Sequence, residues 1–112
     1  MADPRPKLRD FALGLPEARE EFPWNESVVK VRGKIFVFLG GDDPFITVKL
    51  VESHGHALSV EGAHATGYGL GKAGWLTIPV SDTDLETLRD WVEESYRIVA
   101  PKRLVAKLDG RG

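Results

Sequence analysis

The sequence predicts a single α+β domain over residues 1–112, and three observations lead to this prediction. The length and the hydrophobic share of 42% suit one domain with one buried core. Four short segments rich in β-branched and aromatic residues have the composition of β-strands. Segments with apolar residues at helical spacing precede and follow these strands. The predicted order is therefore helix, three strands, helix, strand and helix.

The first element is a short helix near the N-terminus. Asp3 is a candidate N-cap, and Gly14 is expected to end the helix. Residues 17–25 are acidic and interrupted by proline, so we interpret them as a loop that holds Phe22 and Trp24 against the body of the domain. The apolar face of the helix would consist of Leu8, Phe11, Ala12 and Leu15.

Three predicted strands follow, at residues 28–32, 34–40 and 45–51. Gly33 is expected to form a tight hairpin turn between the first two, and residues 40–44 a longer turn before the third. Apolar and polar side chains alternate in the third strand, which predicts one buried face and one face largely in contact with water. The buried face would consist of Ile46, Val48 and Leu50.

The middle of the chain is rich in glycine. Residues 52–61 are predicted to form a short helix. Residues 66–74 contain four glycines and are interpreted as a flexible loop or an irregular edge. Residues 75–80 form the fourth predicted strand, with Pro79 near its end or on an edge of the sheet.

The strongest helix signal begins after Ser81 or Asp82, either of which is a candidate N-cap. An amphipathic stripe continues from there until Pro101 interrupts it. Residues 102–112 are expected to form a brief helical turn before fraying. The stripe consists of Leu85, Leu88, Trp91, Val92, Ser95, Tyr96 and Val99.

The composition excludes several classes of protein. The chain contains no cysteine, which excludes a disulfide scaffold and a cysteine nucleophile and favours the cytoplasm. No apolar run approaches the roughly 18 residues that span a bilayer, and the N-terminal segment lacks a signal-peptide pattern, so we expect no membrane partner. The net charge of −2 argues against a strongly basic nucleic-acid-binding protein but leaves room for a local basic patch.

The charge is unevenly distributed along the chain. Residues 1–96 carry 10 Lys and Arg against 16 Asp and Glu, a balance of −6. Residues 97–112 carry five basic residues against Asp109 alone, a balance of +4. The sequence therefore predicts an acidic body with a basic C-terminal tail.

Two motifs suggest metal or phosphate binding, and each has a simpler interpretation. His54 and His56 would share one face of a strand, with His64 as a third ligand, but their segment does not have a strand pattern, so we interpret them as exposed loop histidines. Residues 67–74 resemble a phosphate loop around Lys72. A strand rather than a helix follows, so we interpret this segment as a mobile hairpin or wing. No constellation of residues proposes a reaction, and we expect no enzyme activity and no cofactor.

Aromatic residues lie near lysines in the sequence, a combination that can stack on bases and hold phosphates. The alternative is that the rings belong to the core, which is expected for Trp91 and favoured for Trp75. The sequence leaves open whether Trp24, Tyr68 and Trp75 lie in the core or face a ligand.

Six short motifs lie at residues 15–17, 22–24, 31–36, 47–50, 68–77 and 94–99. Their order and spacing resembles that of the MmcQ/YjbR-like family of small bacterial proteins. The resemblance covers about residues 8–107. It implies a two-layer α+β domain with an antiparallel sheet and helices on one face, an architecture similar to type III secretion chaperones. It also implies DNA binding through a double-wing arrangement, with no established reaction or cofactor.

The resemblance and the basic tail together favour DNA binding that is modest and largely non-specific. The alternative is a protein- or small-ligand-binding module that uses the open sheet face and the loop at residues 67–74. We expect a monomer in either case. The resemblance also matches Trp75, Ser95 and Tyr96 to recurrent family positions. The candidate binding residues are Lys34, Lys49, Tyr68, Lys72, Arg97, Lys102, Arg103 and Lys107.

Overall fold

A computed structural model describes residues 3–23, 26–41, 44–67, 69–81 and 83–110. Within these ranges six strands form one antiparallel sheet in the order β1-β2-β3-β4-β6-β5. The strands are β1 (Ala18–Glu21), β2 (Ser27–Val31), β3 (Lys34–Gly40), β4 (Phe45–Lys49), β5 (His64–Ala65) and β6 (Trp75–Pro79). The helices are α1 (Arg5–Leu13), α2 (His54–Leu58), α3 (Leu85–Val99) and α4 (Lys102–Leu108), with a short 3₁₀ helix at Leu70–Ala73.

One face of the sheet is covered by helices, as a two-layer α+β fold requires. Helix α3 packs across β3 and β4, and α1 packs against α3, β1 and β2. Because side chains alternate along a regular strand, every second residue of β4 points into this layer. The alternation predicted for the third strand is confirmed in β4. The buried sheet residues include Val29, Val31, Val37, Leu39, Ile46, Val48, Leu76 and Ile78.

Two strands of the sheet were not predicted. Strand β1 lies within residues 17–25, which we interpreted as a loop, and β5 consists of residues 64–65. The four residues of β1, AREE, have no strand propensity, and they become a strand by pairing with the edge of β2. Glu20 on the buried side of β1 is satisfied by Arg9, at 2.7 Å, and by the hydroxyl of Ser27, at 2.6 Å. Neighbouring elements therefore decide the conformation of this segment.

Phe22 was expected against the body, but 64% of its surface is exposed, so that prediction is wrong. Trp24, which was predicted beside it, lies outside the described residues. The charged strand β1 ends at Glu21, and Phe22 follows it at the edge of the sheet.

The N-cap of α3 is Asp84, so the prediction of Ser81 is wrong, and Asp82 lies outside the described residues. The carboxylate of Asp84 accepts hydrogen bonds from the Thr87 backbone N–H, at 3.2 Å, and from its hydroxyl, at 2.7 Å. These two bonds hold the pKa of Asp84 below its ordinary value. A carboxylate at this position satisfies a free N–H of the first helical turn.

The helical turn predicted after Pro101 is confirmed as α4, and the basic C-terminal segment folds back onto the domain. Leu104 of α4 is buried, and Arg97 of α3 binds Asp109 beyond the end of α4. Arg111 lies outside the described residues. Across the described ranges, no helix combines the length and apolarity needed to cross a membrane.

Candidate functional site

One end of the sheet gathers connections from distant parts of the chain, and we call it the hairpin end. At this end β2 passes through a tight turn into β3, with Val31 opposite Lys34. The last residue of β4, Lys49, lies opposite the first residue of β6, Trp75. Helix α3 also ends on this side, because its Ser95 contacts the backbone of Lys49. The hairpin end therefore combines two connections between strands with the start of α4.

Lys72 is brought to the hairpin end by the 3₁₀ helix that precedes β6. This connection is tightly held, since the Leu50 N–H donates to the Gly74 carbonyl at 3.0 Å. A Cβ atom on Gly74 would lie 2.9 Å from the Leu50 carbonyl oxygen and 3.7 Å from the Lys49 Cγ. Part of the segment predicted as a flexible loop or an irregular edge is thus a 3₁₀ helix packed on the end of β4.

The turn between β2 and β3 contains residues with positive φ, and an ion pair lies beside it. Arg32 has a φ of +51° and Gly33 a φ of +79°, the combination of a type I′ hairpin turn. Glu17, with a φ of +59°, binds the Arg32 guanidinium at 2.6 and 3.1 Å. This pair lowers the pKa of Glu17, with weaker contributions from Arg103 and Lys107. Arg103 and Lys107 of α4 therefore lie near Glu17, beside the β2–β3 turn.

Arg97 also lies at this end, but its charge is compensated within the protein. Its guanidinium binds Asp109 at 2.6 and 3.2 Å and Glu93 at 3.1 Å. These carboxylates raise its pKa above the ordinary value. Arg97 thus fastens the end of α4 to α3.

Ser95 connects α3 to the sheet through two backbone groups. Its hydroxyl accepts a hydrogen bond from the Lys49 N–H, at 2.9 Å, and donates one to the Phe36 carbonyl. Phe36 and Lys49 flank the last paired residues of β3 and β4, Val37 and Val48. The Ser95 hydroxyl therefore continues the ladder where the direct pairing ends.

The neighbours of Ser95 hold two further segments. The Tyr96 hydroxyl donates to the Pro16 carbonyl at 2.7 Å, while its ring packs edge-to-face on Phe36. The Glu94 carboxylate accepts from the backbone N–H groups of Val51, at 2.8 Å, and Ser53, at 3.2 Å. Burial acts to raise the pKa of Glu94, but these hydrogen bonds outweigh it and the pKa lies below its ordinary value. Both side chains are engaged in holding the fold together.

The open face of the sheet carries a row of four side chains in register across four strands. Phe38 on β3 lies opposite Thr47 on β4, Thr47 opposite Thr77 on β6, and Thr77 opposite His64 on β5. The Thr77 hydroxyl is 3.1 Å from that of Thr47 and 3.1 Å from that of Thr66. Three hydroxyls thus form a hydrogen-bonded chain on the sheet surface.

This row forms the floor of a groove with a volume of about 790 Å³. The volume lies within the range of small-molecule sites. Its threonines were not predicted as site residues, although the alternation in the third strand put Thr47 on the wet face. The other lining residues are Glu26, Gly40, Gly41, Phe45 and Leu70.

The aromatic residues divide between core and surface. Trp91 is buried as predicted. Trp75 is only partly buried and packs edge-to-face on Phe38 beside the groove, so it is not a core residue. Trp24 and Tyr68 lie outside the described residues. Within the described ranges, no three metal-ligating side chains lie close enough to hold an ion, and the ring of His56 packs on Trp91.

Comparisons with known proteins give the following matches. A model of the YjbR family matches residues 13–98. The chain is similar to a solved structure from Deinococcus radiodurans with a DUF419 domain, with 23% identity and a TM-score of 0.69 over 84% of this chain and 76% of that one. It is also similar to a Pseudomonas syringae protein, with 17% identity and a TM-score of 0.68 over 85% of this chain and 97% of that one. At these identities the likeness establishes a shared fold. No curated protein sequence matches the chain.

Proposed function

The chain belongs to the YjbR family, and we propose that it binds nucleic acid, without enzyme activity, through the basic residues at its hairpin end. One observation carries the proposal: cationic residues far apart in the sequence lie at two strand ends, on the 3₁₀ helix and on α4, all at the same end of the sheet. These residues are Lys34, Lys49, Lys72, Lys102, Arg103 and Lys107.

The availability of these cations supports the proposal further. Within the described part of the chain, their side chains form no hydrogen bond or ion pair, in contrast to Arg97, which binds Glu93 and Asp109. All of them except the partly buried Lys49 are exposed. An unpaired, exposed ammonium or guanidinium can meet a phosphate without first breaking a contact inside the protein.

The expected binding is modest and sensitive to salt. The net charge of −2 opposes the approach of a polyanion, so affinity depends on how locally the cations are grouped. Each phosphate neutralised on duplex DNA contributes a slope of about −0.9 to the dependence of log K on log salt concentration. If all six cations contact phosphates, the slope is about −5.

The test is a fluorescence anisotropy titration of a short labelled duplex over a range of salt concentrations. We expect saturable binding at low ionic strength, with a slope between about −3 and −5. The absence of salt-sensitive binding at low ionic strength would overturn the proposal.

Matched variants locate the interface. Lys34→Ala and Lys72→Ala should each weaken binding to all sequences alike and make the slope less steep by about one. Lys7→Ala is the control, because Lys7 is exposed on α1 and its removal changes the net charge equally. Equal effects of all three variants would mean that net charge, and not the hairpin end, determines binding.

A second candidate function is favoured by a separate observation, the groove on the open sheet face. A protein- or small-ligand-binding module needs a concave surface with apolar walls and a few polar groups. The groove provides both, and Leu70 from the 3₁₀ helix contributes to its wall. The partly exposed ring of Trp75 lies beside it, against Phe38.

A further inference from the structure

The groove on the open sheet face has a distribution of hydrogen-bonding groups that selects among ligands. Its floor contains the hydroxyls of Thr47, Thr77 and Thr66, linked in a chain by two hydrogen bonds. Three hydroxyls have three hydrogens and six lone pairs in total. The two hydrogen bonds between the threonines use two of the hydrogens and two of the lone pairs. One hydrogen and four lone pairs are left, so the floor offers mainly acceptors.

His64, at the end of the row, adds another acceptor. Its Nδ1 lies 3.1 Å from the Gly62 carbonyl oxygen, and a carbonyl can only accept a hydrogen bond. Nδ1 therefore carries the hydrogen in this contact. In the neutral ring, Nε2 is then left as an acceptor.

Glu26 provides a negative charge at one end of the groove. Its side chain is exposed and, within the described residues, forms no hydrogen bond or ion pair. It precedes β2, at the end of the sheet opposite the hairpin end, and its Cγ approaches Gly41. Lys49 lies at the hairpin end, outside the groove lining. A bound cation would therefore direct its charge towards Glu26 and away from Lys49.

The walls of the groove are aromatic and aliphatic. Phe38 and Phe45 come from adjacent strands, and Leu70 comes from the 3₁₀ helix. Phe38 is held edge-to-face by Trp75, and Phe45 packs on the ring of His64. Such walls favour a flat apolar ring over a flexible polar chain.

We propose that the groove binds a small aromatic cation whose amino or amidinium N–H groups point to Glu26 and the threonine hydroxyls. The ring of the ligand packs against Phe38 and Phe45. This proposal rests on the second candidate function, ligand binding on the open sheet face, and specifies its ligand. It is independent of nucleic-acid binding at the hairpin end.

The experiment uses three probes of nearly equal shape: benzamidine, which is cationic, benzamide, which is neutral, and benzoate, which is anionic. Each is titrated into the full chain labelled with ¹⁵N, and amide shifts in β3, β4 and β6 are followed. We expect benzamidine to shift the amides around Thr47 and Thr77 in a saturable manner. Benzamide should bind about fivefold more weakly, and benzoate should bind more weakly still.

Two variants test the contributing groups. Glu26→Gln should lower the affinity for benzamidine about fivefold, to that of benzamide, and leave the affinity for benzamide unchanged. Thr77→Val, which retains the side-chain shape, should weaken both probes. Glu86→Gln is the matched control, because Glu86 lies exposed in the first turn of α3, away from the groove. It should leave all three probes unchanged.

The outcomes separate the ligand class from the groove itself. If benzoate or benzamide shifts the same amides at concentrations equal to or below those of benzamidine, the proposed cation is wrong while ligand binding on the sheet face stands. If no probe shifts these amides at millimolar concentration, the cation proposal is overturned, and with it the small-ligand form of the second candidate function. An equal loss of benzamidine binding in the Glu86→Gln control would also overturn the role of Glu26.

Discussion

Replacing Ser95 with alanine tests whether this residue stabilises the fold or acts in binding. Its contacts indicate a structural role. Its match to a recurrent position of the family would also allow a functional one. The side chain is fully buried. Its hydroxyl is the partner of the Lys49 N–H and of the Phe36 carbonyl. Alanine removes the hydroxyl and keeps the remaining atoms, so the change in packing is small.

The expected loss of stability follows from these two backbone groups. A buried donor or acceptor without a partner costs about 1–3 kcal/mol, and Ser95→Ala creates one of each. If β3 and β4 move together and bond directly, part of this cost is recovered. We therefore expect the free energy of unfolding to fall by about 2–4 kcal/mol. Since small domains have total stabilities of about 5–15 kcal/mol, the variant should still fold.

Urea denaturation followed by tryptophan fluorescence measures this loss. With a urea dependence of about 2 kcal/mol per molar, the midpoint should fall by about 1–2 M. Ser81→Ala is the control, because Ser81 is exposed and its hydroxyl forms no hydrogen bond within the described residues. In Ser95→Ala, hydrogen exchange at the Lys49 amide should accelerate more than exchange in β2.

One result would refute the reasoning. If Ser95→Ala has the same midpoint as Ser81→Ala, then the hydroxyl does not satisfy the two backbone groups in solution. If nucleic-acid binding is also lost at unchanged stability, Ser95 acts in binding, contrary to its contacts.

Three further predictions concern other contacts. Tyr96→Phe leaves the Pro16 carbonyl without its hydrogen-bond partner, so it should lower the free energy of unfolding by about 1–2 kcal/mol in the same urea assay. An unchanged midpoint would contradict this hydrogen bond. Gly74→Ala places a side chain on a residue with a φ of +99° and against the Leu50 carbonyl, so the free energy of unfolding should fall by about 1–3 kcal/mol. Gly67 has open space around it, so Gly67→Ala should lower the free energy of unfolding by less than about 1 kcal/mol. Asp84→Ala should destabilise the protein at neutral pH. Because the folded pKa of Asp84 lies below its ordinary value of 3.8, that contribution is present above this pH and is lost as the pH falls further. The unfolding temperatures of the two proteins should therefore converge as the pH is lowered below 3.8.

Much of the fold could be predicted because it depends on local patterns. The alternation along β4 and the apolar stripe of α3 each assign a face to the core, and burial of that face favours the predicted element. Gly33 identified the hairpin turn because a type I′ turn needs positive φ. The segment before β2 gave no such signal, because β1 owes its conformation to a pairing partner.

The candidate sites depend on contacts that no local pattern contains. Lys34, Lys49 and Lys72 were identified from the sequence, but only the order of the strands brings them to one end of the sheet. The groove was not identified, because a row such as Thr47 and Thr77 exists only in the register between strands. Even the predicted N-cap was displaced to Asp84.

The sequence by itself determined one α+β core, its four main strands, its long helix and an uneven charge. These follow from hydrophobic periodicity and turn residues, which act over a few neighbouring positions. Tertiary structure alone decided that Arg97 is paired with Asp109, that Ser95 completes the ladder between β3 and β4, and that three threonines form a groove floor. Each of these depends on distances between residues remote in the chain, and only the packed fold sets such distances.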